Sequence, residues 1–144
     1  MARRQTGLRD ERLTGSIIGA FFDVYNTLGF GFLEHVYCLA LDRELAVRGH
    51  RVRREVSVPI HYKGKVLTSQ RIDRVVDEKV VVEVKSAAQL PAFAERQLMN
   101  YLRATKLEVV LLLHFGPEAK FHRVVSLNDP TAVVTPATPA PESV

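Results

Sequence analysis

Two short apolar runs separated by a helical pattern constrain this chain most: Val80-Val81-Val82-Glu83-Val84-Lys85 and Leu107-Glu108-Val109-Val110-Leu111-Leu112-Leu113. The second is almost wholly apolar, which suits a strand covered on both faces. Between them Pro91 sits where a first helical turn belongs, and Phe93, Gln97, Leu98, Tyr101 and Leu102 form the inner stripe of the helix that follows. A strand, a helix and a strand in this order make a right-handed crossover with the two strands parallel. That unit commits the chain to an α/β fold.

The flanking segments fill in the order. Thr14 can cap a helix with Ile17, Ile18, Phe21, Phe22, Tyr25 and Leu28 at helical spacing, interrupted by Gly29 and Gly31. A second helix is expected over about Phe32 to Arg48, with Leu33, Val36, Tyr37, Ala40, Leu41 and Leu45 inward, ended by Gly49. Alternation then predicts a strand over 51–62 with Val52, Val56, Val58 and Ile60 on one face, a turn at Lys63-Gly64-Lys65, and a strand over 66–76. Asp77-Glu78-Lys79 turns the chain into the valine-rich strand, and Gly116-Pro117 leads to a last one over 121–127. The expected order is ααβββαββ, with a mixed sheet and flanking helices. Residues 1–12 read as a flexible N-terminal segment, 13–127 as the domain, and 128–144, with four of the seven prolines, as a disordered tail.

Size and composition bound the possibilities. A chain of 144 residues, 47% of them hydrophobic, can build one core without covalent staples. The single cysteine, Cys38, excludes an internal disulfide framework, a four-thiolate zinc site and a cysteine-ligated iron–sulfur cluster. No apolar run approaches the roughly 20 residues that cross a bilayer, so no membrane role is expected. The first residues lack an apolar signal core, and the expected location is the cytoplasm. A net charge of +4 admits a polyanionic partner without requiring one.

The informative residues are charges inside elements that otherwise read as buried. Glu83 and Lys85 share one face of their strand. A buried isolated charge costs several kcal/mol, so the two are either a solvated surface pair or part of a site. Lys85 lies at the carboxyl end of a strand that feeds a crossover helix, where open α/β sheets form ligand crevices. The short turn at 77–79 folds the strand carrying Asp73 back against Glu83. Two carboxylates and a lysine are the parts of a magnesium site for phosphodiester hydrolysis, the hard oxygens holding the ion and the ammonium positioning water.

Arg71-Ile72-Asp73, nine intervening residues and then Glu83-Val84-Lys85 resemble the D…(D/E)xK signature of the PD-(D/E)XK nuclease superfamily, with Ile72 in place of the usual proline. Gln97-Leu98-Met99-Asn100-Tyr101 resembles the QxxxY motif of its RecB-like and lambda-exonuclease-like branch. Gly31-Phe32-Leu33-Glu34-His35-Val36-Tyr37 resembles the string that names its GxxExxY family.

The resemblance implies a restriction-endonuclease-like core and a nuclease acting on DNA with Mg2+, for which Mn2+ can substitute. It implies metal ligation by Asp73, Glu83, the backbone carbonyl of Val84 and Glu34, with Lys85 catalytic and Gln97 and Tyr101 orienting lysine, water or DNA. Ordinary alternatives stand beside these: Tyr101 as a core aromatic, Glu34 as a surface helix residue. Ala94 stands where relatives often carry a histidine. Arg48, Arg51, Arg53 and Arg54 are a solvated face or, in the case of Arg51, Arg53 and Arg54, substrate contacts to phosphates. His35, His50, His61, His114 and His122 lack metal-ligand spacing. So small a chain leaves specificity to a homodimer or a partner protein. The other function class is a catalytically silent nucleic-acid-binding or partner-binding module on the same fold.

Overall fold

The structure is a computed structural model that describes residues 2–126. The expected tail over 128–144 and the last residue of the final strand, Leu127, lie outside the described residues. The elements are α1 (Ala2–Leu28), α2 (Glu34–Val47), β1 (Val52–Tyr62), β2 (Lys65–Val76), β3 (Val80–Ser86), α3 (Ala94–Arg103), β4 (Val109–Phe115) and β5 (Ala119–Val125). This is the ααβββαββ order. The strands form one sheet in chain order, with β3 and β4 parallel and every other neighbouring pair antiparallel. Among the described residues no helix is long and apolar enough to cross a membrane.

The β1–β2 turn has two residues, Lys63 (φ 50°) and Gly64 (φ 81°), and the β2–β3 turn three, Asp77 (φ 54°), Glu78 (φ 57°) and Lys79, with left-handed backbone at the first two positions of each. Such turns match the twist of the strands they join. The second contains no glycine and is held by its surroundings. The Asp77 carboxylate accepts the Arg51 backbone N–H at 2.8 Å and lies 2.7 Å from His50 Nδ1.

The sheet is covered on both faces. α1 and α2 supply Ile17, Phe21, Tyr37, Leu41 and Leu45 against Val76, Val80, Val82, Val84, Leu111, Leu113 and Phe115. On the other face α3 sets Leu102 and Leu98 against Val75, Val81 and Val110. β4 is buried at all seven positions, as its unbroken apolar run requires.

Local differences from expectation have physical causes. The first helix starts at Ala2 rather than at Thr14, whose hydroxyl donates to the Glu11 carbonyl within the helix instead of capping it. Leu33 precedes α2 and is 79% exposed rather than inward. Pro91 lies one turn before α3, and Phe93 at its start is exposed, so the inner stripe begins with Ala94. Val52, Val56 and Val58 do not share a face: Val52 packs toward α1 and α2, Val56 and Val58 toward α3. Glu55 (φ 55°) breaks the alternation between them, opposite Asp73, and the two-stranded ribbon turns over there.

Candidate active site

Strand alternation determines which side chains reach the site. Val82 and Val84 point into the α1/α2 core, so Glu83 and Lys85 point with Val81 to the face that α3 covers. α3 brings Gln97 and Tyr101, one turn apart, over the same place. Glu83, Lys85, Gln97 and Tyr101 all line one cavity of about 240 Å³, with Gln70 and Arg71 on a side wall and Val81, Leu102 and Leu112 among its apolar lining. The chain therefore gathers four of the expected residues into one enclosure.

Asp73 enters from β2. The β2–β3 ladder pairs Val76 with Val80, Val75 with Val81 and Arg74 with Val82, and ends there. At the next position the strands part, and the Asp73 backbone N–H donates to Glu83 Oε1 at 3.1 Å instead of to a carbonyl. Burial pushes the Glu83 carboxyl up to about 7, and the negative charge of Asp73 adds to this; the Asp73 N–H and Lys85 act against it. Glu83 thus sits in a place that disfavours its charge unless a cation joins it.

Glu34 opens α2 and is exposed. It lines a groove next to the cavity, together with Asp73, Cys38, Arg54 and Arg74. The loop before it is fixed by Tyr37: its hydroxyl donates to the Gly29 carbonyl and accepts the Phe32 N–H at 3.2 Å. Its ring stacks on Phe115 at 4.0 Å between centroids. Gly31 (φ 118°) takes a conformation that a side chain would strain. Ser86, directly after Lys85, donates to the Phe32 carbonyl at 2.7 Å and ties this loop to the end of β3.

One site residue escaped the sequence reading. Arg74 is 4% exposed and reaches Asp42 of α2 with two nitrogens, Nη2 to Oδ2 at 2.9 Å. Its Nη1 lies 2.8 Å from Asp73 Oδ2, while its N–H is directed toward Cys38 Sγ at 3.4 Å, so Asp73 Oδ2 is ion-paired yet receives no hydrogen bond. Arg74 is held well above its usual pKa by the Asp42 hydrogen bonds and the two carboxylates, against the cost of burial. A signal existed: Arg74 stands with Asp73 between Ile72 and the pair Val75-Val76, a charge inside a strand that otherwise reads as buried, as Glu83 is in the next strand.

Among the described residues no three His, Cys, Asp or Glu side chains converge tightly enough to hold a metal by themselves. The residues nonetheless fit a small hard cation. Mg2+ keeps several waters and needs only one or two carboxylates. Asp73 and Glu83 supply two, one with an oxygen that receives no hydrogen bond and the other raised by burial and by its neighbour's charge. Val84 could add only its backbone carbonyl, because its side chain is wholly buried in the core.

The arginines divide. Arg54 lines the groove with Glu34 and Asp73 and pairs with Asp42 at 3.4 Å. Arg53 makes a two-pronged pair with Glu78, both bonds 2.8 Å, at the β2–β3 turn and away from Lys85 at the other end of β3. Arg51 lies beside that same turn through its backbone bond to Asp77. Of the three, the fold brings only Arg54 to the site.

A model of the PD-(D/E)XK nuclease superfamily matches residues 11–124. The solved structure of SSO0001 is similar in fold, with a TM-score of 0.52 and 21% identity over 66% of this chain, which spans half the length of that one. No curated protein matches the chain. With its motif residues gathered at the parting of β2 and β3 and the family match covering most of its length, the chain belongs to the PD-(D/E)XK nuclease superfamily.

Proposed function

We propose that this protein is a divalent-metal-dependent nuclease of the GxxExxY type, in the RecB-like branch of its superfamily, which hydrolyses phosphodiester bonds in DNA. The observation that carries this reading is the placement of Glu83, Lys85 and Gln97 on one cavity, with Asp73 bonded to Glu83 where the strands part. A role as a solvated surface pair does not account for a carboxyl raised to about 7 beside a second carboxylate.

Asp73 and Glu83 would hold Mg2+ or Mn2+, with the Val84 carbonyl and Glu34 completing the protein's share. Such an ion supplies Lewis-acid polarisation of a phosphoryl oxygen and eases deprotonation of water. The chain's own residues do the rest. Lys85 places an ammonium on the same face as Glu83, where it holds a water in line for attack at phosphorus or steadies a non-bridging phosphate oxygen. The P–O bond opposite the entering water breaks, the attacking water loses a proton, and the leaving alkoxide takes one up from solvent. Gln97 offers an amide to the same water or phosphate, and Tyr101 walls the cavity and keeps α3 in register over β3. Arg54 meets a flanking phosphate across the groove. A second copy or a partner protein supplies sequence preference.

The second reading, a silent binding module, is favoured by one observation: Arg74 already stands 2.8 Å from Asp73 and competes with a cation for that carboxylate. Incubation of linear duplex, plasmid, single-stranded DNA and RNA with Mg2+ or Mn2+ separates the two. The nuclease reading expects metal-dependent cleavage lost in Glu83→Ala and Lys85→Ala. Absence of both cleavage and saturable metal binding would favour the silent module, with Arg74 holding the cation's place, whereas metal binding that Asp73→Ala abolishes would support the metal site even without cleavage.

A further inference from the structure

The β1–β2 hairpin is longer than the sheet needs. β2 pairs with β3 only over Arg74–Val76, whereas β1 and β2 stay paired out to Tyr62 and Lys65. Val58 and Ile72 are the outermost buried residues of the ribbon, packed toward α3. Beyond them the ribbon projects: every residue from His61 to Ser69 is exposed. Four residues past Val58 at strand spacing reach roughly 14 Å from the body.

The arm is also where the chain's positive excess gathers. Between Glu55 and Asp73 there is no acidic residue, while Lys63, Lys65 and Arg71 carry three positive charges, against +4 for the whole chain. Arg71 lies 3.4 Å from Glu55, both side chains 71% exposed, a contact of little strength in water. Neither tip lysine has an ion-pair partner among the described residues, and Lys63 Nζ lies 5.4 Å from the centroid of the Tyr62 ring. The base of the arm is continuous with the site, because Gln70, Arg71 and Ile72 line the cavity that holds Glu83 and Lys85.

We propose that this hairpin arm is a grip for duplex DNA, whose phosphate backbone runs along it into the Glu83–Lys85 cavity with Lys63 and Lys65 each meeting a phosphate. A two-stranded ribbon fits the major groove of B-DNA, which is about 12 Å wide. Among the described residues the β2 edge facing away from β1 has no strand partner beyond Arg74, so past Asp73, whose N–H is taken by Glu83, its backbone N–H groups can add phosphate contacts. The inference rests on the nucleic-acid reading given above but not on turnover.

The test measures binding without metal. A fluorescein-labelled 20-base-pair duplex is titrated in EDTA across a salt series, followed by anisotropy, with wild type, Lys63→Ala/Lys65→Ala, and a control of equal charge, Lys79→Ala/Lys106→Ala. Two lost phosphate contacts make the log K against log salt slope shallower by about two and weaken binding about thirtyfold at 0.15 M salt. The control should keep the wild-type slope. Equal behaviour of all three proteins overturns the grip. So does a tip variant that self-associates in sedimentation with unchanged duplex affinity, since the lysines would then be guards of a free strand edge. Wild type that fails to bind the duplex overturns it as well, and cleavage under Mg2+ then decides the nuclease reading separately. A shallower slope with no cleavage by wild type leaves the grip standing and removes the nuclease.

Discussion

The backbone N–H of Asp73 donates to Oε1 of Glu83 at 3.1 Å, at the point where β2 and β3 stop pairing. A side-chain carboxylate has taken the place of a strand carbonyl, so the parting of the strands and the seating of Glu83 are one feature. It also brings two negative charges together in a half-buried place, and that has consequences for stability.

Glu83 titrates near 7 in the folded chain and near 4.5 as an ordinary glutamate. As pH rises from about 4.5 to 7 the unfolded chain gives up this proton first, so folding is progressively penalised, and the full penalty stands above 7. Glu83→Gln should therefore be more stable than wild type at pH 8 without metal, by about 2 kcal/mol, with the advantage shrinking toward pH 5. Urea denaturation at the two pH values measures it. Mg2+ should raise the stability of wild type at pH 8 and leave the variant nearly unchanged.

Arg74 is buried with Asp42 as its hydrogen-bonded partner. Removal of one member of such a pair strands the other, which typically costs 3–5 kcal/mol. Because Asp73 still faces the guanidinium in Asp42→Ala, the lower end applies, about 3 kcal/mol. Chemical denaturation that placed Asp42→Ala within 0.5 kcal/mol or so of wild type would contradict the buried pair.

Tyr37→Phe keeps the ring on Phe115 and deletes the hydroxyl that joins Gly29 to Phe32. The loss of its hydrogen bonds should lower stability by about 1–2 kcal/mol. Because the same loop presents Glu34, Mn2+ affinity followed by electron paramagnetic resonance should fall in parallel if Glu34 reaches the ion. A stability loss with unchanged affinity would assign Glu34 to the surface.

Cys38 lies among core residues beside Arg74, and burial pushes its thiol up to about 11, with Arg74 opposing. The thiolate is the reactive form, so a folded chain at pH 8 should be nearly inert to Ellman's reagent. One thiol per chain should appear only when denaturant unfolds it. Rapid reaction in buffer alone would show that the groove opens to Cys38.

Much of this was legible in the chain itself, for identifiable reasons. The all-apolar β4, the valine-rich β3 and the helix between them define a crossover by composition alone, and two-residue strand alternation puts Glu83 and Lys85 on one side without any tertiary information. One-turn spacing does the same for Gln97 and Tyr101. What sequence could not supply is which distant segments meet. Arg51, Arg53 and Arg54 are near neighbours in the chain, yet only Arg54 faces the groove, because Glu78 across the turn claims Arg53 and the ribbon turns over at Glu55. Arg74 looked like an interruption of a strand until α2 brought Asp42 to it across 32 positions.

Local periodicity, then, determines the order of elements and the face on which each motif residue stands, since both follow from the geometry of one strand or helix. The site itself is a tertiary matter. The parting of β2 from β3, the hydrogen bond that seats Glu83 on the Asp73 N–H there, the closure of α3 over the cavity and the projection of the hairpin arm all depend on where pairing stops. Pairing stops where the packing of separate segments decides it, and no single stretch of sequence records that.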